Sequence, residues 1–393
     1  MDAFFASVEI ARNPSLTGKP VCVGAPVMRR GVVSAASYEA RKFGIRAGMP
    51  IFKAMELCPH ATFVPPDFHL YRETSRKIKN ILLSVTPEVE QTSIDEAYLD
   101  LRGLEHHFSK PQDIADYIKG EIARQCNGIT CSIGVAPSRV CAKVAGNFRK
   151  PNGYTEVDDP VHFLQQVEPN DIPGIGRRTW EKLQKLGLYT VLDIQKMALP
   201  SLQSFFGKAM GRWLFEMVRG VDSNAIVAEH QKPKSVSHTA TLEYNTEDSA
   251  VLFPILASMC DDLCEEIQEE GLFAKTIGVI IRYSDFHTTH KQASLTESTQ
   301  SPRKILPHIY TLFHNLVIPG RAIRLIGMEL TNFSEAPQTP NIFSYKQNQK
   351  EDRLIVGIQK IRARHGSKSI YFGARSEDRG ASSRFSSPFQ APS

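Results

Sequence analysis

The stretch Glu88–Leu101 reads EVEQTSIDEAYLDL. EVEQTSI and AYLDL have the composition and alternation of two short strands, and Asp95 and Glu96 stand near their junction. On a regular strand adjacent side chains face opposite ways, but at a turn or strand end both can converge on one point. Two converging carboxylates repel unless a cation lies between them, and Mg²⁺ takes hard oxygen ligands together with phosphate. Phosphoryl transfer uses metals in this way, to bridge phosphates and to lower the charge on an attacking hydroxyl. An isolated Asp-Glu pair is solvated surface by about ten to one, so its neighbours decide its meaning.

On the N-terminal side, PVCVGA and GVVSAAS in residues 20–37 read as two short strands joined by a basic turn at Met28–Gly31. A helix, YEARKFG, follows, with Ser37 as N-cap and Gly44 as its stop. Tyr38 and Arg41 are three apart at its start and share a face. The first helical turn favours phosphate, Arg offers a planar fork and Tyr a hydroxyl. Residues 68–85 read as a helix, with Tyr71, Ile78, Ile81 and Leu82 at helical spacing.

On the C-terminal side the pattern gives a helix near 112–125, a strand ITCSIGVA and a helix SRVCAKVAGNF, ended by Lys150-Pro151-Asn152-Gly153. Lys150 there offers a point charge. Residues 166–230 are mostly helical and contain IPGIGRRTWEKLQKLGL, a tight turn feeding a helix, with Trp180 and Leu183 assigned to core. Glycines in such a turn let backbone N–H groups approach a DNA phosphate without reading sequence. Beyond a linker at 231–234 come a strand, a helix from Leu252 to Ile267, strands at 275–283 and 290–295, a helix at 302–316 and a strand at 323–331. That order suits a small α+β domain. From Ser376 the Ser, Arg, Gly and Pro content argues disorder.

The chain has 393 residues, 41% hydrophobic and 23% charged, with a formal charge of +5. From Lys346 onward there are ten Lys or Arg against four Asp or Glu, so the rest of the chain is close to neutral. Bulk charge therefore does not announce a nucleic-acid binder, and only local patches could serve. The seven cysteines include no CxxC pair and read as small buried hydrophobes in a reducing cytosol. There is no stretch of about 18 apolar residues to span a membrane. The opening MDAFFASVEIARN lacks a basic region and does not read as a signal peptide.

These motifs together resemble the Y family of translesion DNA polymerases. SIDEAYLDL is similar to the family's palm motif, and GVVSAASYEARKFGIRAGMP to its fingers motif. CSIGVAPSRVCAKVAGNFRKPNG resembles its second palm motif, and IPGIGRRTWEKLQKLG its thumb hairpin, all in order over residues 1–345. The resemblance implies an α+β multidomain, right-hand polymerase. Its parts would be a ferredoxin-like palm (1–10 and 68–165), small fingers (11–67), a helical thumb with a helix-hairpin-helix (166–230) and an α+β little finger (234–345). A basic, partly disordered tail (346–393) would follow. It implies a monomer working in the cytoplasm on nucleoid DNA, with primer-template DNA and dNTPs as partners.

By the same resemblance, Asp95 and Glu96 are the catalytic metal ligands for two Mg²⁺ ions, joined by the Met1 backbone carbonyl. Phe5 lies under the incoming sugar and excludes a 2′-hydroxyl, while Phe4 is core. Tyr38, Arg41 and Lys150 hold the triphosphate; Lys42 and Arg46 are solvated. Gly174, Gly176 and Arg177 contact DNA backbone, as do Lys234, Ser235, Arg282 and Arg324 in the little finger. Gln338, Ile342 and Phe343 resemble a peptide that docks in a sliding clamp, an Ile-Phe plug filling an apolar pocket. The family's first metal-binding acid ends a strand in Asp-x-Asp, and this chain begins at the x, with Asp2 matching the second acid. The expectation is a start placed too late at an internal Met, against a truncated, weakened polymerase or DNA-binding scaffold. A nucleotide cyclase shares paired acids but has no use for the IPGIG hairpin.

Overall fold

A computed structural model of the chain describes residues 1–24, 30–222, 226, 232–336, 353, 354, 357, 358, 360–362, 364–366, 369 and 370. The chain divides into two units, Met1–Val27 with Gly31–His230, and Met28–Arg30 with Gln231–Ser393. The division falls at the linker expected near 231.

In the first unit, α1 (Phe4–Arg12) precedes β1 (Val21–Val23), β2 (Ala35–Ala36), α2 (Tyr38–Lys42), α3 (Ile51–Leu57) and β3 (Thr62–Val64). The strands form a sheet in the order β2-β1-β3, with β1 and β3 parallel. The second expected strand, residues 31–37, shrinks to β2, and Val32 pairs instead in an isolated bridge with Pro50. Cys22, Val33, Ala36, Ala40, Ile45, Ile51, Ala54 and Cys58 close a small core of their own around this sheet.

Next come α4 (Phe68–Leu83), β4 (Val89–Gln91), β5 (Ala97–Leu99), α5 (Pro111–Gln125), β6 (Ile133–Val135), α6 (Arg139–Phe148) and β7 (Tyr154–Glu156). Tyr71, Ile78, Ile81 and Leu82 of α4 are buried as their spacing requires. They pack with Phe4 and Val8 of α1 and with Ile114, Ile118 and Ile122 of α5. Here β4–β5 and β6–β7 are separate two-stranded pieces. The first two residues run between them: the Met1 ammonium donates to the Asp95 carbonyl at 2.6 Å, and the Asp2 N–H to the Thr130 carbonyl at 3.0 Å.

Helix α6 lies hard against β6. A Cβ on Gly134 would sit 2.2 Å from the Ala142 carbonyl oxygen and 2.3 Å from the Gly146 nitrogen, so only glycine admits this approach. The other face of α6 (Val140, Cys141, Val144 and Ala145) belongs to the core of the helices that follow. Those are α7 (Pro160–Leu164), α8 (Arg177–Lys185), α9 (Val191–Gln195), α10 (Leu199–Phe206) and α11 (Lys208–Met217). Leu183 is fully buried there and Trp180 packs at its edge, as the sequence suggested.

The second unit runs β8 (Ser235–Thr246), α12 (Ser249–Glu269), β9 (Phe273–Tyr283), β10 (Thr288–Thr299), α13 (Pro302–His314) and β11 (Ile323–Ser334). Its antiparallel sheet has the order β10-β9-β11-β8. One core joins Leu252, Leu256, Leu263 and Ile267 of α12 to Ile277, Val279 and Ile281 of β9. Of the residues expected to meet DNA here, Lys234 is exposed. Arg282 donates to the Thr288 hydroxyl at 2.9 Å, and the Arg324 guanidinium lies 4.6 Å from the Phe286 ring centre.

Candidate active site

Residues 92–96 form the turn between β4 and β5, and the acid pair sits in it. The Thr92 and Ser93 N–H groups both donate to the Glu96 carbonyl, at 3.1 and 3.3 Å, which closes the turn. The Ser93 hydroxyl donates to Asp95 Oδ1 at 2.8 Å. From α4 the Ser75 hydroxyl holds the Ile94 carbonyl at 2.6 Å, and the Gln91 side-chain amide braces Ser75 at 2.8 Å. The turn is thus tied down from three sides while both acids stay half-buried.

A residue the motif reading did not assign completes this corner. Lys143 of α6 contacts the Glu96 carboxylate. One turn earlier on the same helix, Arg139 donates to Glu90 at 2.6 Å and covers the Tyr98 ring at 4.6 Å. The signal was present, since residues four apart on a helix share a face. Its acidic partners, however, lie some 50 positions away.

Phe5 is half-buried in α1, and its ring stacks on that of Tyr71, with centroids 4.4 Å apart and planes 12° from parallel. Phe68 meets Phe5 edge-on at 5.9 Å. The Tyr71 hydroxyl donates to the buried Glu9 carboxylate at 2.7 Å. Burial, helped by Glu9, pushes the Tyr71 hydroxyl far above its ordinary pKa. Phe4 is core, as expected.

Ser37 caps α2 as its sequence suggested, accepting from the Ala40 N–H at 3.3 Å. Arg41 lies 4.6 Å from the Tyr38 ring centre and donates through Nε to the Ala36 carbonyl at 3.1 Å. The Tyr38 hydroxyl is buried without a hydrogen bond of good geometry among the described residues. Burial, then the nearby Asp2 carboxylate, raises its pKa. Lys150 and Lys42 are exposed, and Arg46 folds back onto the Arg41 and Ile45 carbonyls at 2.8 and 2.9 Å.

The Ile172–Gly176 turn belongs to the core of α6–α11 and not to the acid turn. Ile172 and Ile175 are buried there, while Gly176 and Arg177 are exposed. Gly174 has φ 96°, and a Cβ on it would meet Trp213 at 2.3 Å. Arg177 opens α8 and pairs with Glu181 at 2.7 Å in full solvent. Gln338, Ile342 and Phe343 lie outside the described residues.

Among the described residues no three His, Cys, Asp or Glu side chains gather as a closed metal cage. The donors at the turn are all hard oxygens. They suit a divalent cation that completes its shell with water and substrate phosphate better than one held by protein alone.

The sequence pattern of the impB/mucB/samB family matches residues 1–147, and that of its C-terminal domain matches 233–341. Between them, residues 170–222 match the thumb domain of DNA polymerase-iota. The chain is similar in structure to a Y-family DNA polymerase chimera built on Dbh, with a TM-score of 0.75, 33% identity, and coverage of 84% of this chain and 96% of that one. It is 38% identical over 339 residues to the DNA polymerase IV of Exiguobacterium sibiricum, covering 86% of this chain and 93% of the relative. The chain belongs to the DNA polymerase IV group of the Y-family polymerases.

Within this Y-family group, the DNA polymerase IV of Staphylococcus aureus strain Newman is 37% identical over 338 residues, covering 86% of this chain and 94% of the relative. An insertion ternary complex of Dbh DNA polymerase matches with a TM-score of 0.59 and 32% identity, over 84% of this chain and 96% of that one. The α+β, multidomain class expected from the sequence is that of a Y-family polymerase. No helix among the described residues is long and apolar enough to cross a membrane.

Proposed function

We propose that this chain is a template-directed DNA polymerase of the translesion type, extending a primer 3′ end with dNTPs in DNA damage tolerance. The observation that carries the reading is the path of the first five residues. Met1 bonds to Asp95, Asp2 lies beside Tyr38 and the turn after Lys150, and Phe5 follows in the first turn of α1. This path supports reading Asp95 with Glu96, Tyr38 with Lys150, and Phe5 as parts of one site.

In this reading Asp95 and Glu96, with the Met1 carbonyl, would hold two Mg²⁺ ions. Bound metal supplies charge neutralisation at the phosphates and eases ionisation of the primer hydroxyl. The primer 3′ oxygen bonds to the α-phosphorus, pyrophosphate leaves, and the hydroxyl proton passes to solvent. Arg41 forks onto the triphosphate, Lys150 adds charge, and Tyr38 offers its hydroxyl. Phe5, held flat by Tyr71, blocks a 2′-hydroxyl. Gly174, Gly176 and Arg177 grip the duplex backbone without reading its bases.

The domain limits given by the resemblance are part of the same proposal. So are a monomeric state, a place in the cytoplasm at the nucleoid, and capture by a sliding clamp through residues 338–343. Primer extension by residues 1–393 tests the catalytic core of the reading. Extension well above that of an Asp95→Ala control is expected. Equal, background-level extension by both proteins would leave only a DNA-binding role.

A further inference from the structure

Asp2 is 1% exposed and has no part in the chemistry above. Its carboxylate is nevertheless where distant segments meet. Oδ2 accepts from the Thr130 hydroxyl at 3.0 Å and from the Asn152 N–H at 2.8 Å. Oδ1 accepts from the Ser132 hydroxyl at 2.8 Å, and Ser132 in turn accepts from the Gly153 N–H at 3.2 Å. Two successive N–H groups of the turn after Lys150 are therefore fixed, one directly and one through Ser132.

A buried carboxylate is costly to desolvate and persists only when donors surround it. Three donors meet that need for Asp2: the Asn152 N–H lies two residues past Lys150, and Ser132 also binds Gly153 of that turn. A side chain serving α1 alone would need none of these partners. Towards α1, the Asp2 backbone carbonyl already accepts from the Ser7 hydroxyl at 2.6 Å.

We propose that Asp2 is a positioning residue, whose carboxylate, through the Asn152–Gly153 turn, sets Lys150 to meet the triphosphate. The inference rests on the reading of Tyr38, Arg41 and Lys150 as triphosphate ligands. Asp2→Asn keeps the shape but exchanges an acceptor oxygen for a donor, which opposes one of the donors now aimed at it. A misplaced clamp loses binding without loss of any contact atom.

The test is dNTP affinity of the full chain on a dideoxy-terminated primer-template, where no turnover is needed. Asp2→Asn is expected to weaken dNTP binding about 10-fold, while the ratio of rNTP to dNTP affinity, set at Phe5, stays unchanged. Combined with Lys150→Ala, it is expected to add little to the loss from Lys150→Ala alone, because both act on one contact. Multiplicative losses, or an unchanged dNTP affinity in Asp2→Asn, would overturn the proposal. Should Asp2→Asn fail to fold by thermal melting, Ser132→Ala carries the test: it cuts the relay to Gly153 and is expected to weaken dNTP binding in the same sense. Unchanged affinity in that variant overturns the proposal equally. Arg41→Ala separates the two levels: no loss of dNTP affinity there sinks the triphosphate reading itself.

Discussion

Phe5 and Tyr71 lie ring on ring, 4.4 Å apart and within 12° of parallel. Phe5, the proposed sugar gate, is thus a braced plate, with its support fixed by the bond from Tyr71 to Glu9. Phe5→Ala is expected to raise ribonucleotide incorporation by an order of magnitude or more, about the discrimination a steric clash of 1–3 kcal/mol supports. Tyr71→Phe keeps the plate and should leave sugar selectivity nearly unchanged. It strands the buried Glu9 acceptor, so urea unfolding should show a loss of about 1–3 kcal/mol.

Where Glu96 holds a metal, as proposed, Lys143 and the cation would compete for its carboxylate. Removing the lysine should therefore make the site easier to load. Lys143→Ala is expected to lower the Mg²⁺ concentration for half-maximal primer extension about 2- to 5-fold, the range of a partly exposed ion pair. A rise in that concentration would instead mean that Lys143 helps assemble the site.

The hairpin offers two substitutions with opposite signatures. Gly174→Ala places a Cβ against Trp213 at a positive φ, so it should cost about 1–3 kcal/mol of stability and weaken DNA binding with it. Arg177→Ala breaks only an exposed pair and should leave stability within about 0.5 kcal/mol. Its DNA affinity should fall uniformly across sequences, with the salt slope reduced by about 1. Filter binding over a salt series, beside thermal melts, distinguishes the two.

All seven cysteines are free and buried. Burial pushes the thiols of Cys22, Cys131 and Cys141 up to about 11. Native protein at pH 8 should therefore react with a disulfide reagent only as fast as it opens, and unfolded protein at once. Unfolded thiols ionise near pH 8.5 while these folded ones keep their protons. The unfolded state then binds fewer protons, so stability should fall as pH rises from about 8.5 towards 11. A flat stability profile over that range would contradict the burial.

Asp95 and Glu96 were legible because a turn between two short strands is a local pattern. Ser37 as a cap and Leu183 as core were legible for the same reason. Lys143 was not, because its partner Glu96 is 47 positions away and any surface helix carries a lysine. The role of Asp2 was hidden more deeply, since Ser132 and Asn152 lie 130 and 150 positions along the chain. Helix α1 escaped notice as well: FFASVEIAR is apolar on several sides, and its Ala3 N-cap sits at φ 44° without a capping side chain.

The close approach of α6 to β6 at Gly134 has a mechanical consequence. With no side chain between them, helix and strand cannot slide or roll past each other without steric overlap. The same helix carries the counter-ion of Glu96, runs directly into Lys150, and is latched at its start where the Val140 N–H donates to Asp222 at 2.7 Å. It behaves as a rigid strut with an attachment at each end. A displacement of the helices after residue 160 is therefore expected to reach the Glu96 corner through α6.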